Sequence, residues 1–575
     1  MRREAAERLL TPKKCIIQRA MAYIAGKSAF LQILKQEGVS TMFGNPGTTE
    51  LPLMDGLARE PGIRYVLALQ EAVAVSMADG YAQASGGIGA VNVHVSPGLG
   101  NAMGMLYDAY KAGAPLLLTA GQHDQSFTVT EPILWSELVP LASPYVKWAV
   151  EIKRLEDLPR IVHRAAKTAL AHPRGPVFLS LPVDVLNNER DIDLGQPTRV
   201  AERLRGDIGA VAEAAKLLAR AERPLILAGD AVAHGDALAE LVELAELVGA
   251  PVMLEGVAST CSFPFTHPLY AGGSPRLGPQ IYAALMRHDL VVSIGADLFT
   301  LSLPSDVDPM PHGLKVIHMD VDPWEIGKNY PAAVGIHGDP KATLPDLCEA
   351  FRRETTKNGH KDAPKRRETI AAANAVERAE LVKRAVVEEG QVPISPLSLV
   401  HAVAQATPKN AVVVDEAISS SNGIRTFFAC EDPKSFFSLR GGGIGWGLPA
   451  ALGIKLAIPN RPLVAMVGDG SAMYTNQALW TAARENLAVV YVIINNGSYR
   501  ILKQRTHALK GYSAEDDVYV GMDLTPAIDY IGLAKSLGVP GERVEKTADV
   551  GAAVGRGLAS GGPYLVDVKV DAGFK

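Results

Sequence analysis

Oxygen-bearing side chains follow two apolar runs in the C-terminal third of the chain. Asp469 lies in the stretch VGDGSAMYTN (467–476), and Asn496 ends the run AVVYVIINN (488–496). Both runs are predicted strands joined by a helical crossover, so the two side chains should lie at the carboxyl ends of parallel strands, where open α/β sheets bind ligands. A carboxylate and an amide carbonyl suit Mg²⁺, which commonly shares its coordination with phosphate oxygens. The spacing therefore predicts a site for a metal and a diphosphate.

Each half of this pattern also has a plainer interpretation. A GDG triplet is often only a turn, and NNG is a common hairpin signal, so separately each is more often structural. The stretch SAMYTNQALWTAAREN between them is predicted to be the crossover helix, whose N-terminus can face a phosphate. Their joint occurrence in a strand–helix–strand context favours the ligand site, with the main chain at Ser498 supplying a further oxygen.

The elements around this site repeat along the whole chain. Short β-branched runs alternate with alanine- and leucine-rich helical stretches, which is typical of parallel sheets covered by helices on both faces. The pattern predicts an α/β fold of three doubly wound domains over 25–187, 205–352 and 385–575. Polar stretches over 187–206 and 352–369 are interpreted as linkers.

Composition narrows the class of protein. The 575 residues suffice for about three domains, and 57 basic against 62 acidic residues leave a net charge of −5. No basic field for nucleic acid or an acidic membrane is evident, and no apolar run approaches the ~18 residues of a membrane span. Small molecules and copies of the same chain are the expected partners. Residues 1–20 are left open as an extension.

The spacing of the cysteines indicates the redox state of the cellular compartment. Cys15, Cys261, Cys348 and Cys430 lie far apart, with no C-x-x-C pair. This usage fits a reducing compartment better than a disulfide-stapled fold, so a cytoplasmic location is expected. A cysteine zinc site is unsupported for the same reason.

Dinucleotide binding is the natural alternative for doubly wound sheets. The nearest glycine pattern, VSPGLGNAMG (95–104), is one residue longer than G-x-G-x-x-G, and LRGGGIGWGLPAALG (439–453) also has the wrong spacing. The sequence therefore does not favour a nicotinamide oxidoreductase.

The stretch GDGSAMYTNQALWTAARENLAVVYVIINNGSY resembles the metal and diphosphate motif of the thiamine diphosphate enzymes, and the likeness extends from about residue 25 to the C-terminus. The resemblance implies pyrimidine-binding, middle and diphosphate-binding domains, in that order. It also implies that Asp469, Asn496 and Ser498 hold Mg²⁺, and that Gly470 and Ser471 join them in binding thiamine diphosphate.

The same resemblance implies roles in two further segments. Glu71, in LALQEAVAVSMADGYA, matches the glutamate that hydrogen-bonds the cofactor pyrimidine and activates it. In GGGIGWGLPAALG, Gly442 would offer its backbone carbonyl to the aminopyrimidine and Ile444 would support the bend of the cofactor. The plainer interpretations are that Glu71 favours its helix N-terminus and that Ile444 packs in the core.

Within the family, the segments FGNPGTTELPLMDGL and NVHVSPGLGNAMG most resemble benzoylformate decarboxylases. Thr48 falls where that group has a serine that meets the substrate carboxylate, and His94 matches one of its two active-site histidines. Ser302 stands where the second histidine is expected, and serine cannot replace an imidazole as a proton carrier near neutral pH. His123 is a candidate substitute. The resemblance thus implies a non-oxidative 2-oxo acid decarboxylase.

Two other functions stay open. A carboligase or lyase of the acetolactate synthase-like type would join or cleave hydroxyketones, and a cofactor-binding protein without turnover is disfavoured by the presence of Glu71 and Asp469. The basic residues Arg500, Lys503 and Arg505 indicate a substrate more polar than benzoylformate. In the family, the pyrimidine domain of one subunit faces the diphosphate domain of another, so a homodimer or homotetramer is expected. No fingerprint for a nucleotide is seen in the middle domain.

Overall fold

Three six-stranded parallel sheets form the molecule, which is described by a computed structural model over residues 22–301, 303–358 and 362–574. A two-stranded antiparallel sheet is added to the first of them. The predicted α/β class with three doubly wound domains is confirmed. Within the described ranges, no helix is both long and apolar enough to cross a membrane.

The N-terminal sheet has the strand order β3-β2-β4-β5-β7-β6, and β1 pairs with β8 beside it. The strands are β1 Ala22–Ala25, β2 Thr41–Gly44, β3 Arg64–Leu67, β4 Gly89–Val93, β5 Leu116–Gln122, β6 Ala149–Glu151, β7 Val177–Pro182 and β8 Glu189–Ile192. The helices are α1 Gly26–Gln36, α2 Leu51–Leu57, α3 Glu71–Ser85, α4 Val95–Ala112, α5 Leu138–Ala142, α6 Leu158–Leu170 and α7 Val183–Asn187.

The middle sheet has the order β11-β10-β9-β12-β13-β14, which is the strand order of dinucleotide-binding folds. Its strands are β9 Pro224–Ala228, β10 Val252–Leu254, β11 Tyr270–Gly273, β12 Leu290–Ile294, β13 Lys315–Asp320 and β14 Val334–His337. Its helices are α8 Ile208–Arg220, α9 Asp230–His234, α10 Leu238–Val248, α11 Gly278–Leu285 and α12 Pro340–Asn358, and α13 Ala363–Val387 connects this domain to the next.

The C-terminal sheet has the order β16-β15-β17-β18-β20-β19. Its strands are β15 Val412–Glu416, β16 Phe436–Ser438, β17 Leu463–Gly468, β18 Val490–Asn495, β19 Gly541–Val544 and β20 Tyr564–Lys569. Its helices are α14 Pro396–Ala406, α15 Ile424–Phe427, α16 Gly447–Ala457, α17 Asp469–Tyr474, α18 Ala478–Arg484, α19 Arg500–Ala508, α20 Tyr512–Asp516, α21 Tyr530–Ser536 and α22 Thr547–Ala559.

The N- and C-terminal sheets share one topology. Numbered within each sheet, their strands follow the order 2-1-3-4-6-5, so the winding reverses between the first and third strands. That switch point lies between β2 and β4 in the N-terminal domain and between β15 and β17 in the C-terminal domain. Ligands bind outside the carboxyl ends of strands at such points. Two candidate crevices follow from topology alone.

Helices α3 and α16 pack the N-terminal domain against the C-terminal domain. Their backbones touch because glycine lies at the crossing: a Cβ on Gly80 would stand 2.4 Å from the Ala450 carbonyl oxygen, and one on Gly453 would stand 1.8 Å from that of Met77. The buried Trp446 indole donates to Asp79 Oδ2 at 2.7 Å. These two domains therefore form one continuous apolar core.

The middle domain joins the C-terminal domain through a buried ionic network. Arg440 Nη1 lies 2.6 Å from Asp230 Oδ2 and 2.7 Å from Glu255 Oε1. Alongside it, Ser438 N–H donates to the Ser259 carbonyl at 2.8 Å. Arg440 Nη2 also lies 3.0 Å from Glu255 Oε2, so the guanidinium contacts both oxygens of that carboxylate.

Both predicted linkers contain regular structure. The segment 187–206 includes β8, which pairs with β1. The segment 352–369 lies between the middle and C-terminal domains and is largely exposed, but it is helical, since α12 and α13 occupy most of its described part. Arginine side chains attach α13 to neighbouring segments. Arg366 donates to the Gly249 carbonyl at 3.3 Å. Arg378 donates to the carbonyls of Phe265 and Thr426 at 2.6 and 2.7 Å. The polar side chains of α13 are thus partly used in domain contacts.

The predicted crossover helix after β17 is two short helices, α17 and α18. The chain leaves the helix at Thr475, whose hydroxyl donates to the Gly445 carbonyl at 2.5 Å. Side-chain bonding of this kind competes with helix continuation. The break ties the crossover to the glycine-rich loop before α16.

Candidate active site

Glu71 begins α3 directly beyond β3 and is buried. Asn45 Nδ2 donates to its Oε1 at 3.1 Å, and Asn101 Nδ2 donates to its Oε2 at 3.0 Å. Gln70 caps the helix by accepting from the N–H groups of Ala72 and Val73. Two amides and a capped helix end therefore fix the carboxylate of Glu71.

His94 follows β4 and contacts a glutamate that the sequence did not single out. Its Nδ1 lies 2.8 Å from Glu50 Oε2, and Glu50 is buried. Glu50 also accepts from the N–H groups of Gly47 and Gly121 at 2.9 and 2.8 Å and from the Thr49 hydroxyl at 2.8 Å. The carboxylate orients the imidazole, since a histidine ring is positioned by what its second nitrogen contacts. The only sequence signal for Glu50 is its place after the β2 strand end.

Thr48 opens a 3₁₀ turn, Thr48–Glu50, between β2 and α2. Its side chain is exposed, whereas its neighbour Thr49 is buried with its hydroxyl 3.2 Å from His94 Nδ1. The predicted substrate contact therefore faces outward beside the histidine. We call Asn45, Thr48, Thr49, Glu50, Glu71, His94 and Asn101 the N-terminal cluster.

Asp469 and Asn496 lie at the carboxyl ends of neighbouring strands, as the spacing predicts. Asp469 Oδ1 accepts from Gly470 N–H at 2.8 Å, and its Oδ2 accepts from Gly497 N–H at 2.6 Å. Asn496 Oδ1 accepts from the N–H and hydroxyl of Ser498 at 2.9 and 3.0 Å. Burial raises the pKa of Asp469, and the backbone N–H donors oppose that shift.

These residues line one cavity, which we call the C-terminal cavity. Its walls come from the switch point of the C-terminal sheet and from the start of α19: Ala417, Ile418, Ser419, Ser420, Ile444, Gly468, Asp469, Gly470, Ser471, Ile494, Asn496, Ser498, Tyr499, Arg500 and Ile501. Ser420 is buried, and its hydroxyl has no hydrogen-bond partner in the described part of the molecule. A buried hydroxyl without a partner fits a bound phosphate oxygen, because such groups are normally hydrogen-bonded. Sequence reasoning missed Ser420.

Two buried carboxylates hold the glycine-rich loop that carries Gly442 and Ile444. Glu416 accepts from the N–H of Gly445 at 2.5 Å, and burial raises its pKa to about 7. Asp108, from the N-terminal domain, accepts from Gly443 N–H at 3.0 Å, and burial raises its pKa to about 8. Gly442 itself is exposed with φ +92°, a left-handed conformation that favours glycine. It lies in the loop of the cavity residue Ile444 but not on the cavity wall.

The predicted site residues form two groups rather than one. The side chains that contact Glu71 and His94 belong to residues 45–101, and the described wall of the C-terminal cavity belongs to residues 417–501. Each group lies at the switch point of its own sheet. The described contacts therefore build each group within its own domain.

Three further predictions concern His123, Ser302 and the metal site. His123 lies just beyond β5, the strand next to β4, and its buried Nε2 has no partner among the described residues. Ser302 lies outside the described residues. Within the described ranges, no group of three or more His, Cys, Asp or Glu residues could hold a metal ion.

Models of three domains match this chain. The thiamine pyrophosphate enzyme N-terminal TPP-binding domain matches residues 24–134, the central domain matches 211–347, and the C-terminal TPP-binding domain matches 418–568. With the three sheets and the two strand-end groups, these matches define the class: the chain belongs to the thiamine pyrophosphate enzymes, whose cofactor is also called thiamine diphosphate.

The chain is similar over nearly its whole length to particular members of this family. The chain is 32% identical to a benzoylformate decarboxylase of Pseudomonas aeruginosa over 546 residues, covering 94% of this chain and 98% of that protein. It is 30% identical to a probable acetolactate synthase large subunit of Methanococcus aeolicus, covering 95% and 92%. Among solved structures, a thiamine diphosphate-dependent 4-hydroxybenzoylformate decarboxylase of Rhodococcus jostii superposes with a TM-score of 0.84 at 30% identity, covering 96% of this chain and all (100%) of that one.

Proposed function

We propose that the protein is a thiamine diphosphate- and Mg²⁺-dependent, non-oxidative decarboxylase of a 2-oxo acid, of the benzoylformate decarboxylase type. The observation that carries the proposal is the pair of polar groups at the two equivalent switch points, one with Glu71 and His94 and one with Asp469 and Asn496. The benzoylformate decarboxylase relatives support the same reaction.

The C-terminal cavity would hold the diphosphate end of the cofactor. Asp469, the Asn496 carbonyl and the Ser498 backbone would bind Mg²⁺, a cation that prefers oxygen ligands. The unpartnered Ser420 hydroxyl would donate to a phosphate oxygen, and Ser471 and Gly470 line the same wall. Ile444 would pack beneath the cofactor, and the Gly442 carbonyl would accept from its aminopyrimidine. When bound, thiamine diphosphate supplies a carbon nucleophile and an electron sink for decarboxylation.

The N-terminal cluster would handle protons and the substrate carboxylate. Glu71, fixed by Asn45 and Asn101, would share a proton with a pyrimidine nitrogen at its carboxylate oxygen. His94 would exchange a proton with the substrate at Nε2, because Glu50 and Thr49 contact its Nδ1. The exposed Thr48 hydroxyl would donate to the substrate carboxylate.

A second candidate function is carboligation of the acetolactate synthase-like type. The similarity to acetolactate synthase large subunits over nearly the whole chain favours it. Ser302 supplies a chemical reason for carboligation. A chain with one proton carrier fewer would protonate slowly the carbon that has lost carbon dioxide, and an aldehyde would have time to react with that carbon.

Product analysis separates the two candidates. The holoenzyme is supplied with a panel of 2-oxo acids, with and without acceptor aldehyde, and carbon dioxide, aldehyde and hydroxyketone are quantified. Simple aldehyde release supports the decarboxylase, and a dominant hydroxyketone supports the carboligase. Ser302→His should shift the ratio towards aldehyde; an unchanged ratio would show that position 302 does not govern protonation.

The two groups imply that a complete site needs two copies of the chain, so the active form would be at least a homodimer. Coexpression of Glu71→Gln with Asp469→Ala tests this, because a mixed dimer would contain one site free of both substitutions and regain about half of the unmodified activity. If each site were built within one chain, every site of the mixed dimer would carry a substitution and stay inactive. A homotetramer would give the same result.

A cytoplasmic location is part of the proposal. The described cysteines Cys261, Cys348 and Cys430 are buried free thiols, which suits a reducing compartment. Burial raises the pKa of each of these thiols, so they are poor nucleophiles. Cys15 lies outside the described residues.

A further inference from the structure

Close in sequence to the C-terminal cavity, the C-terminal domain contacts the middle domain. The cavity segment Ala417–Ser420 leads into α15, where Arg425 Nη2 donates to the middle-domain carbonyl of Ala258 at 2.6 Å. The Arg425 guanidinium also lies over the Phe436 ring, 5.3 Å from its centroid. The side chain is therefore held at the domain boundary close in sequence to the cavity.

Arg276 interacts electrostatically with both Arg425 and Arg505. Arg276 leaves β11 with its stem packed at Gly256, where a Cβ would stand 3.1 Å from Arg276 Cγ. Partial desolvation lowers the pKa of Arg276, and the positive charges of Arg505 and Arg425 lower it further, so each of these two guanidinium groups lies within electrostatic range of Arg276. We call Arg276, Arg425 and Arg505 the arginine cluster.

Arg505 connects this cluster to the C-terminal cavity. It lies four residues after the cavity residue Ile501 on α19, so both project from the same helix face. The other two basic residues noted in the sequence already have partners: Lys503 is paired with Asp523, and Arg500, which lies on the cavity wall itself, donates to the Gly573 carbonyl at 2.7 Å. Of the three basic residues noted in the sequence, Arg505 is the one directed along the face of Ile501.

The cluster lacks a matching negative charge in the part of the chain that is described. None of its three guanidinium groups forms an ion pair with a carboxylate there. The charge of Arg425 acts on Asp415, but burial raises the pKa of that carboxyl and its Oδ1 already accepts from Ala417 N–H at 2.9 Å. Three like charges with planar donor groups repel one another and favour an anion with several acceptor oxygens.

We propose that the arginine cluster binds a second anionic group of the substrate, so that the preferred 2-oxo acid carries a carboxylate or phosphate-type group at the end remote from its keto carbon. This substrate class rests on the proposed function, because it places the reacting keto acid in the same site. The remote anion is held by guanidinium groups from two domains and gives the middle domain a direct part in specificity.

Matched substrates test the proposal on the holoenzyme. The neutral reference is 4-methylphenylglyoxylate, and its anionic counterparts are 4-carboxyphenylglyoxylate and 4-phosphonophenylglyoxylate; 2-oxohexanoate and 2-oxoadipate form an aliphatic pair. The unmodified enzyme should prefer an anionic member by about 10- to 100-fold in kcat/KM, the range of a charge-assisted hydrogen bond. The carboxylate and phosphonate arms distinguish the two sources of negative charge. Preference for the neutral member in both series overturns the proposal.

Variants assign the preference to the cluster. Arg505→Gln and Arg276→Gln should each raise KM for the preferred anionic substrate while leaving the neutral one unchanged, since they remove a binding contact remote from the reacting carbon. Arg220→Gln, an exposed arginine at the end of α8, controls for the loss of one surface charge. Equal losses for both substrate types in the cluster variants, or an equal loss in Arg220→Gln, overturn the proposal.

A binding measurement keeps this test separate from that of the proposed function. If no 2-oxo acid is decarboxylated, the proposed function fails, and calorimetry with the unreactive dianion terephthalate then decides on the cluster alone. Binding that is lost in the Arg276/Arg505 double glutamine variant supports the anion site. No binding to the unmodified protein, or equal binding to the double variant, overturns it.

Discussion

The Glu50 carboxylate accepts at both oxygens, and this makes its replacement by an amide informative. Oε1 accepts from Gly121 N–H and the Thr49 hydroxyl, while Oε2 accepts from Gly47 N–H and contacts His94 Nδ1, with every distance between 2.8 and 2.9 Å. Two of these partners are backbone N–H groups, which can only donate. A carboxylate satisfies all four contacts, whereas a glutamine has only one acceptor oxygen.

The variant Glu50→Gln must therefore place its NH₂ against one backbone N–H. Either Gly47 or Gly121 then lacks an acceptor, which should lower the free energy of unfolding by about 1–3 kcal/mol. If the NH₂ faces His94, Nδ1 becomes an acceptor, the ring proton moves to Nε2, and that nitrogen can no longer take a proton. Loss of general acid–base help of this kind should lower kcat by about 10²–10⁴-fold.

Urea unfolding and steady-state decarboxylation kinetics measure both effects in one protein preparation. Glu213→Gln is the matched control, because Glu213 is paired with Lys216 on the exposed face of α8, where ion pairs contribute little. Unfolding free energy and kcat that both equal those of the unmodified protein would refute the assigned role of Glu50. A loss of stability with unchanged kcat would refute the part that concerns His94.

Three further variants test the loops around the cavity. Gly470→Ala places a Cβ 2.6 Å from Tyr499 Cε1 and should weaken thiamine diphosphate binding measured by calorimetry, whereas Gly468→Ala meets nothing nearer than 3.7 Å and should not; equal affinities would contradict this. Ser420→Ala should lower cofactor affinity by about tenfold without lowering the melting temperature of the cofactor-free protein, because its hydroxyl lacks a protein partner. Asp108→Asn should gain stability relative to the unmodified protein as pH rises from 3.8 to about 8: burial raises the folded-state pKa, so the folded state holds a proton that the unfolded state has lost, and unfolding free energy falls across that window. Urea unfolding at several pH values checks this, and a constant difference would contradict it.

The sequence predicted the fold and the strand-end residues because both depend on local patterns. Alternating apolar runs place Asp469 and Asn496 at one edge of a parallel sheet, and the structure has them there. Glu50 escaped prediction because its role depends on Gly121 and His94, which lie on strand ends far along the chain. No local pattern reports such a contact.

Charge composition did not predict the helical structure between the middle and C-terminal domains, because tertiary contacts decide the local structure there. Helix α13 has few buried residues and many charges, which is typical of a linker, yet Arg366 and Arg378 bond to carbonyl groups of neighbouring segments. For the crossover after β17, the sequence predicted more continuous helix than the chain has. Its composition predicts one helix, and the bond from Thr475 to the Gly445 loop divides it.

The packing of α3 on α16 makes the order of the domains along the chain differ from their order in space. The first and third domains share a core across Gly80 and Gly453. The middle domain lies between them in sequence and packs on the third domain through a separate apolar cluster and Arg440. A protease that cuts the connection near residue 200 would therefore leave the outer domains bound to each other without a covalent link.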